Sequence, residues 1–219
     1  VAAVQKTEAR FQLTAQKILT KLDLALKLDI DQNGEHTFFN SKPIELRGAF
    51  DFDRDEKKLA LNGVSLALDK AYFNLNGTAD IDDSLLVDIT VPGEKPSLNT
   101  FAAFAPPEVA AALERYKNDG KVYFSGVVQG KLSSEEAPFI RVDFGCENVQ
   151  VLNTVVNKKL ESLQFSGSFT NGAERNMKTT EFRLMNIRAK PEEGVFRGDI
   201  VVRNFDDPFV NMRVNADLD

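Results

Sequence analysis

The chain has 219 residues, 42 % hydrophobic and 27 % charged, enough for one large domain or two small repeats with a sizeable core. Its net charge of −6 and lack of a basic cluster argue against nucleic acid, whose phosphates need concentrated Lys and Arg, and against docking on anionic lipid by charge alone. One cysteine, Cys146, excludes an intrachain disulfide, and no apolar run reaches the ~18 residues of a membrane-spanning helix.

Period-two alternation of apolar and polar residues dominates the chain and predicts strands with one dry and one wet face. Leu22, Leu24, Leu26, Leu28 and Ile30 alternate with Lys21, Asp23, Lys27 and Asp29. Gln32-Asn33-Gly34 then predicts a hairpin, because Asn-Gly tolerates positive φ. Leu46, Gly48, Phe50 and Phe52 form the next face, with a turn at Arg54-Asp55-Glu56-Lys57. Leu59, Leu61, Leu66 and Leu68 follow. Phe73, Leu75, Gly77, Ala79 and Ile81 come next, then a turn at Asp82-Asp83 and a strand through Val87, Ile89 and Val91.

From Ser97 to Gly120 the alternation stops. Val109, Ala112, Leu113 and Tyr116 fall at i, i+3, i+4 and i+7 after Pro106-Pro107, and Gly120 follows, which predicts one short amphipathic helix. Alternation resumes through Val122, Phe124, Gly126, Val128, Gly130 and Leu132, and through Ile140, Val142, Phe144 and Cys146 to Val149 and Val151. Phe165, Gly167 and Phe169, then Phe182 and Leu184, then Phe196, Gly198, Ile200 and Val202 continue it to a last strand after Pro208. The fold expected is mainly β: a long curved antiparallel sheet, a groove or half-open roll, of roughly a dozen strands with a helical insert at 97–120. It reads as one segment, or as two diverged sub-repeats at 1–96 and 121–219. The alternating run that reaches Asp219 is the pattern expected of a piece of a longer chain.

Five strands place a glycine in phase with large apolar side chains: Gly48, Gly77, Gly126, Gly167 and Gly198. Glycine weakens a strand interior, so its repeated use there calls for a bend toward that face or a close approach to the backbone. Two readings follow. The apolar face is the floor of an open trough, or it is the filled core of a closed sandwich or barrel.

Three stretches resemble the AsmA-like family near its C-terminal region. They are Ala71-Tyr72-Phe73-Asn74-Leu75-Asn76-Gly77-Thr78-Ala79-Asp80-Ile81, the insert followed by Gly120-Lys121-Val122-Tyr123-Phe124-Ser125-Gly126, and Phe196-Arg197-Gly198 through Pro208 to Ala216-Asp217-Leu218. The likeness rests on their order and spacing from about residue 40 onward. It implies an envelope protein of Gram-negative bacteria that lies in the periplasm, tethered to the inner membrane by an N-terminal helix outside this segment. It also implies a likeness to bridge-like lipid transporters, whose curved sheet holds phospholipid in a hydrophobic groove, and it brings no catalytic motif.

Chemistry-bearing patterns are few. His36, the one histidine, sits beside the expected hairpin turn without a cysteine cluster, so neither a triad nor a zinc site is expected. Asp29 to Gly34 matches the opening of a calcium loop, but Asn40 stands where the closing Glu belongs and the flanks read as strands. Gly126 to Lys131 lacks the spacing and following helix of a phosphate loop. Asp51, Asp53 and Asp55 read as a solvated strand face, and Cys146 as a small buried hydrophobe. No metal, cofactor or enzymatic reaction is expected. The expected ligand is a phospholipid or other acyl-chain lipid, seated on Phe50, Phe73, Leu75, Ile81, Phe124, Val128, Phe165, Phe169, Phe196 and Ile200 with the five glycines. Unpaired end strands are expected to meet neighbouring repeats, and the competing expectation is a scaffold with a packed core and a protein partner.

Overall fold

The computed structural model of the chain describes residues 2–28, 31–32, 35–36, 42–68, 71–81, 85–92, 94–95, 111, 115–120, 122–133, 136–191 and 194–217. The first half contains β1 (Ala2–Leu13), β2 (Lys17–Leu28), β3 (Asp31–Gln32), β4 (Glu35–His36), β5 (Lys42–Asp53), β6 (Lys58–Leu68), β7 (Ala71–Asp80) and β8 (Leu85–Val91). The second half contains β9 (Glu94–Lys95), β10 (Tyr116–Asp119), β11 (Val122–Leu132), β12 (Phe139–Asn153), β13 (Lys158–Thr170), β14 (Glu181–Pro191), β15 (Val195–Arg203) and β16 (Phe209–Asp217).

The long strands form one antiparallel meander in the order β1-β2-β5-β6-β7-β8-β11-β12-β13-β14-β15-β16, with β9 beside β11 and β10 beside β12. The sheet does not close into a barrel, so β1 and β16 are its two edges. The expected curved, mainly β architecture is thus the one observed. The hairpin expected at Asn33-Gly34 is flanked by the two-residue ladder Gln32↔Glu35 and Asp31↔His36. Asn33, Gly34 and the turn at Asp82-Asp83 lie outside the described residues.

The C-terminal end of the expected helical insert is a strand. Residues 97–110 and 112–114 lie outside the described residues, and Ala111 alone among those described is helical. Tyr116, the last position of the predicted stripe, lies in β10, where Tyr116↔Asn153 through Asp119↔Gln150 pair with the far end of β12. β12 is 15 residues long and pairs with β11 only up to Cys146, so it leaves an edge that β10 fills. Gly120 does not stop a helix: it separates two strands with φ +124, and a Cβ there would approach the Val149 side chain to 3.1 Å.

Three of the bulges in the sheet lie in β6 between Leu61 and Val64, in β12 between Cys146 and Val149, and in β14 between Leu184 and Ile187. Each contains a residue with positive φ, respectively Gly63 (62°), Asn148 (50°) and Asn186 (55°). An extra residue of this kind sharpens local twist and curvature. It also places two residues instead of one between successive apolar positions, which keeps both of them on the same face.

Candidate functional site

Residues directly opposite on paired strands share a face, so the strand registers can be joined into rows across the sheet. One row runs Phe11–Thr20–Phe50–Leu61–Gly77–Ile89–Val128–Ile140. A second runs Phe124–Phe144–Gly167–Leu184–Ile200–Met212. A third runs Val91–Gly126–Val142–Phe169–Phe182–Val202–Val210. Phe165 lies opposite Cys146 in phase with Gly167, Phe196 lies opposite Ala216 in phase with Gly198, and Gly48 lies opposite Leu22 in phase with Phe50. Phe73 and Leu75 face Leu66 and Val64. All five glycines and nine of the ten candidate side chains therefore occupy one continuous apolar face.

Ile81 is the exception. The chain leaves the sheet after Asp80, Ile81 N donates to Lys57 O at 3.0 Å, and its side chain is 45 % exposed. Alternation alone could not reveal that the strand had ended one residue earlier.

The face is not uniform. In its middle, side chains bury one another: Phe50, Leu61 and Val64 form one cluster, and Leu68, Ala71, Phe73 and Phe124 a second. The Phe73 and Phe124 ring centroids lie 5.2 Å apart although β8 separates their strands in the sheet order. Val122, Cys146, Val149 and Val151 form a third cluster. Cys146 sits there with its Sγ 3.7 Å from Leu163 O, and burial pushes its thiol pKa up to about 11. It is a buried hydrophobe and not a nucleophile at neutral pH.

Toward the C-terminus the same face opens. Phe165, Phe169, Phe182, Leu184, Phe196, Ile200 and Val202 are only partly buried. On the edge strand β16, Val210, Met212 and Val214 are 58, 61 and 52 % exposed. At the other edge, Phe11 and Leu13 of β1 are 66 and 70 % exposed. Sequence reasoning did not identify β1. Its apolar positions Val4, Ala9, Phe11 and Leu13 are out of step because the register shifts between Val4 and Lys6.

The glycines on this face do not leave equal space. A Cβ at Gly167 would land on the Phe144 ring, which covers its cross-strand glycine. A Cβ at Gly77, where φ is +149, would collide with the Asp88 carbonyl, and one at Gly198 would come within 2.7 Å of Arg213 O. Gly48 packs under Val64, so a Cβ there would come within 2.9 Å of Val64 Cγ2, while Gly126 has ordinary contacts only.

The opposite face is polar. Asp23 accepts from Lys6 at 3.2 Å and from Arg47 at 3.1 Å, Asp51 from Lys17 at 3.0 Å, and Glu181 from Arg183 at 2.5 Å and Arg203 at 2.6 Å. The Arg183 hydrogen bond is the main cause holding the Glu181 carboxyl below its usual range. Asp53 accepts from the Glu56 and Asp55 backbone N–H groups, both at 3.0 Å, and so caps the turn. A shallow cavity of about 380 Å³ lies across β1, β2 and β5, lined by Leu19, Lys21, Ala49 and Asp51 of this face together with Phe11 and Phe50. Among the described residues, no group of three His, Cys, Asp or Glu could hold a metal ion, and no helix is long and apolar enough to cross a membrane. The His36 side chain lies outside the described residues.

No family model, no curated protein and no solved structure matches the chain.

Proposed function

We propose that the chain binds acyl chains of phospholipid or a similar lipid along the open part of its apolar face, over β13 to β16. The observation that carries this reading is the continuity of the face: it passes from a buried middle to partly buried and then exposed side chains without a charged residue facing inward on β15 or β16. Covering such surface by a hydrocarbon chain stabilises by about 25 cal/mol per Å² removed from water. No bond is made or broken. The rows of Phe, Leu, Ile and Val offer few polar groups, so discrimination between chain lengths is weak. The resemblance to the AsmA-like family supports the same reading and adds a periplasmic, envelope-biogenesis setting as part of the proposal.

A second reading, a side-chain-filled scaffold for a protein partner, draws on the middle of the face. There Val64, Val122, Cys146 and Val149 are fully buried and Phe144 fills the space over Gly167. The two readings separate on paired substitutions. Ile200→Asp places a charge on the open part and abolishes binding of a fluorescent fatty acid while far-UV circular dichroism is retained. Phe124→Asp, at a site only 7 % exposed, unfolds the chain because an unpaired charge is buried. If wild-type chain purified without detergent carries no lipid by native mass spectrometry and fails to bind the probe, the lipid reading is lost and the scaffold reading stands.

A further inference from the structure

We propose that the turn between β12 and β13 docks the chain on the surface of an anionic phospholipid bilayer. Residues 154–157 form this turn, and its two central side chains, Val155 and Val156, are 68 and 61 % exposed. The backbone does not call for valine there, because the turn at 54–57, between β5 and β6, is built the same way. In both turns the Oδ1 atom of the residue before the turn accepts from the second and third N–H groups: Asp53 from Asp55 and Glu56, both at 3.0 Å, and Asn153 from Val155 and Val156, at 3.0 and 3.3 Å. In both, the first N–H donates to a neighbouring backbone carbonyl at 2.8 Å, Arg54 to Gln16 O and Thr154 to Arg115 O. In both, the last residue takes positive φ, 51° at Lys57 and 50° at Asn157. One turn thus gives water Asp55 and Glu56, and the other gives it two valines, a residue type usually buried. Strand parity along the antiparallel path puts the two turns at opposite ends of the sheet.

Basic residues flank the valines on both faces. Thr154 N and Oγ1 both donate to Arg115 O, at 2.8 and 3.0 Å, which holds the start of β10 against the turn. The rows Tyr116↔Asn153↔Lys158 and Lys117↔Leu152↔Lys159 follow from the registers. Asn153 is in phase with the buried Val151, so Tyr116 and Lys158 stand on the side of the apolar face, and Lys117 and Lys159 on the polar side. Arg115, Lys117, Lys158 and Lys159 are all exposed, and none forms an ion pair among the described residues. Glu161, the nearest acid on β13, is taken by Lys190 at 2.6 Å. A shallow cavity of about 360 Å³ is lined by Lys117, Lys159, Gln150 and Leu152, where a phosphate meets two ammonium groups. The four cations come from two separate stretches of the chain, so only the fold gathers them.

This chemistry selects a bilayer as the occupant. A lipid interface takes small apolar side chains beneath the headgroups, tyrosine at their level and cations against the phosphates. Two valines and a tyrosine fall far short of the ~800 Å² per partner of a stable protein interface. Neither signal suffices alone in a chain of net charge −6, and the two together give a reversible attachment. The contact lies outside the acyl-chain face over β13 to β16 and does not depend on it.

The test is co-sedimentation of the 219-residue chain with two kinds of vesicle, phosphatidylcholine alone and phosphatidylcholine with an equal part of phosphatidylglycerol. The mixed vesicles are expected to carry down more protein, and less of it as salt is raised. Lys117→Gln and Lys159→Gln each weaken that binding by about fivefold. Val155→Asp combined with Val156→Glu copies the other turn, so it keeps the fold, as melting curves check, and it removes the preference for mixed vesicles. Ile200→Asp sediments as wild type does, which separates this contact from acyl-chain binding. A polarity-sensitive dye on the Val155→Cys chain, which the buried Cys146 does not take up, shifts to the blue with mixed vesicles. Equal sedimentation with both kinds of vesicle, a doubly substituted turn that sediments as well as wild type, or a dye that stays in water overturns the proposal.

Discussion

Gly167 shows how one missing side chain organises its surroundings. The Phe144 ring occupies the place of its Cβ and also meets Phe165 and Phe182, with centroids at 6.3 and 6.0 Å. Gly167→Ala must displace that ring, and overpacking of this kind destabilises by about 1–3 kcal/mol. Urea unfolding should show a lower midpoint with an unchanged slope. Cys146 offers a second check at this scale. Its pKa is raised from 9.0 to about 11, so the folded state favours the neutral thiol. That contribution to stability is complete below pH 9 and is lost as pH rises toward 11. At about pH 8, below both values, the thiol should react with an aromatic disulfide reagent only after denaturant is added, and rapid reaction of the folded chain would contradict its placement. Glu181→Gln, by contrast, removes a largely solvated pair of ion pairs and should change stability by no more than about 1 kcal/mol.

The strands were legible where alternation is unbroken, as in Val122 to Leu132 and Val195 to Arg203, because a half-buried sheet imposes period two directly on the sequence. The bulges were not read, although each leaves a trace. Leu61-Asn62-Gly63-Val64, Cys146-Glu147-Asn148-Val149 and Leu184-Met185-Asn186-Ile187 all step three residues between apolar positions, with Gly or Asn before the second. Those are the residues that tolerate positive φ. Two of the bulge N–H groups are satisfied by the neighbouring strand: Gly63 N donates to Asn76 Oδ1 and Asn186 N to Asp199 Oδ1, both at 2.8 Å. The acceptors sit beside Gly77 and Gly198, so bulge and glycine work as a pair. Asn186→Val should destabilise by about 1–3 kcal/mol through backbone strain. Asp199→Ala should cost about 1 kcal/mol through the lost hydrogen bond. Thermal unfolding of the two variants separates these effects. β10 escaped notice for a different reason. Four residues are too few to show a period, and what makes them a strand is the distant edge of β12.

At the scale of the whole molecule, the face of the site was legible because its glycines and large side chains stay in phase, and the strand registers place them together. Its division into a closed middle and an open C-terminal part was not legible. Exposure depends on which strands curl over which, and that is decided by bulges and by neighbours remote in sequence. Substitutions follow the same division: polar replacements at Val210 or Met212 should leave folding intact, whereas those at Val64 or Val122 should abolish it, as circular dichroism will report.

Apart from the short β9 and β10, which pair with β11 and β12, each strand of the meander pairs with the strands beside it in the path, and those are mostly neighbours in the chain. Such an array behaves as a one-dimensional zipper, in which each link is held by two others and the terminal links by one. Amide hydrogen exchange should therefore be graded, slowest in β6, β7, β11 and β12 and fastest in β1 and β16, with opening that spreads inward from either end.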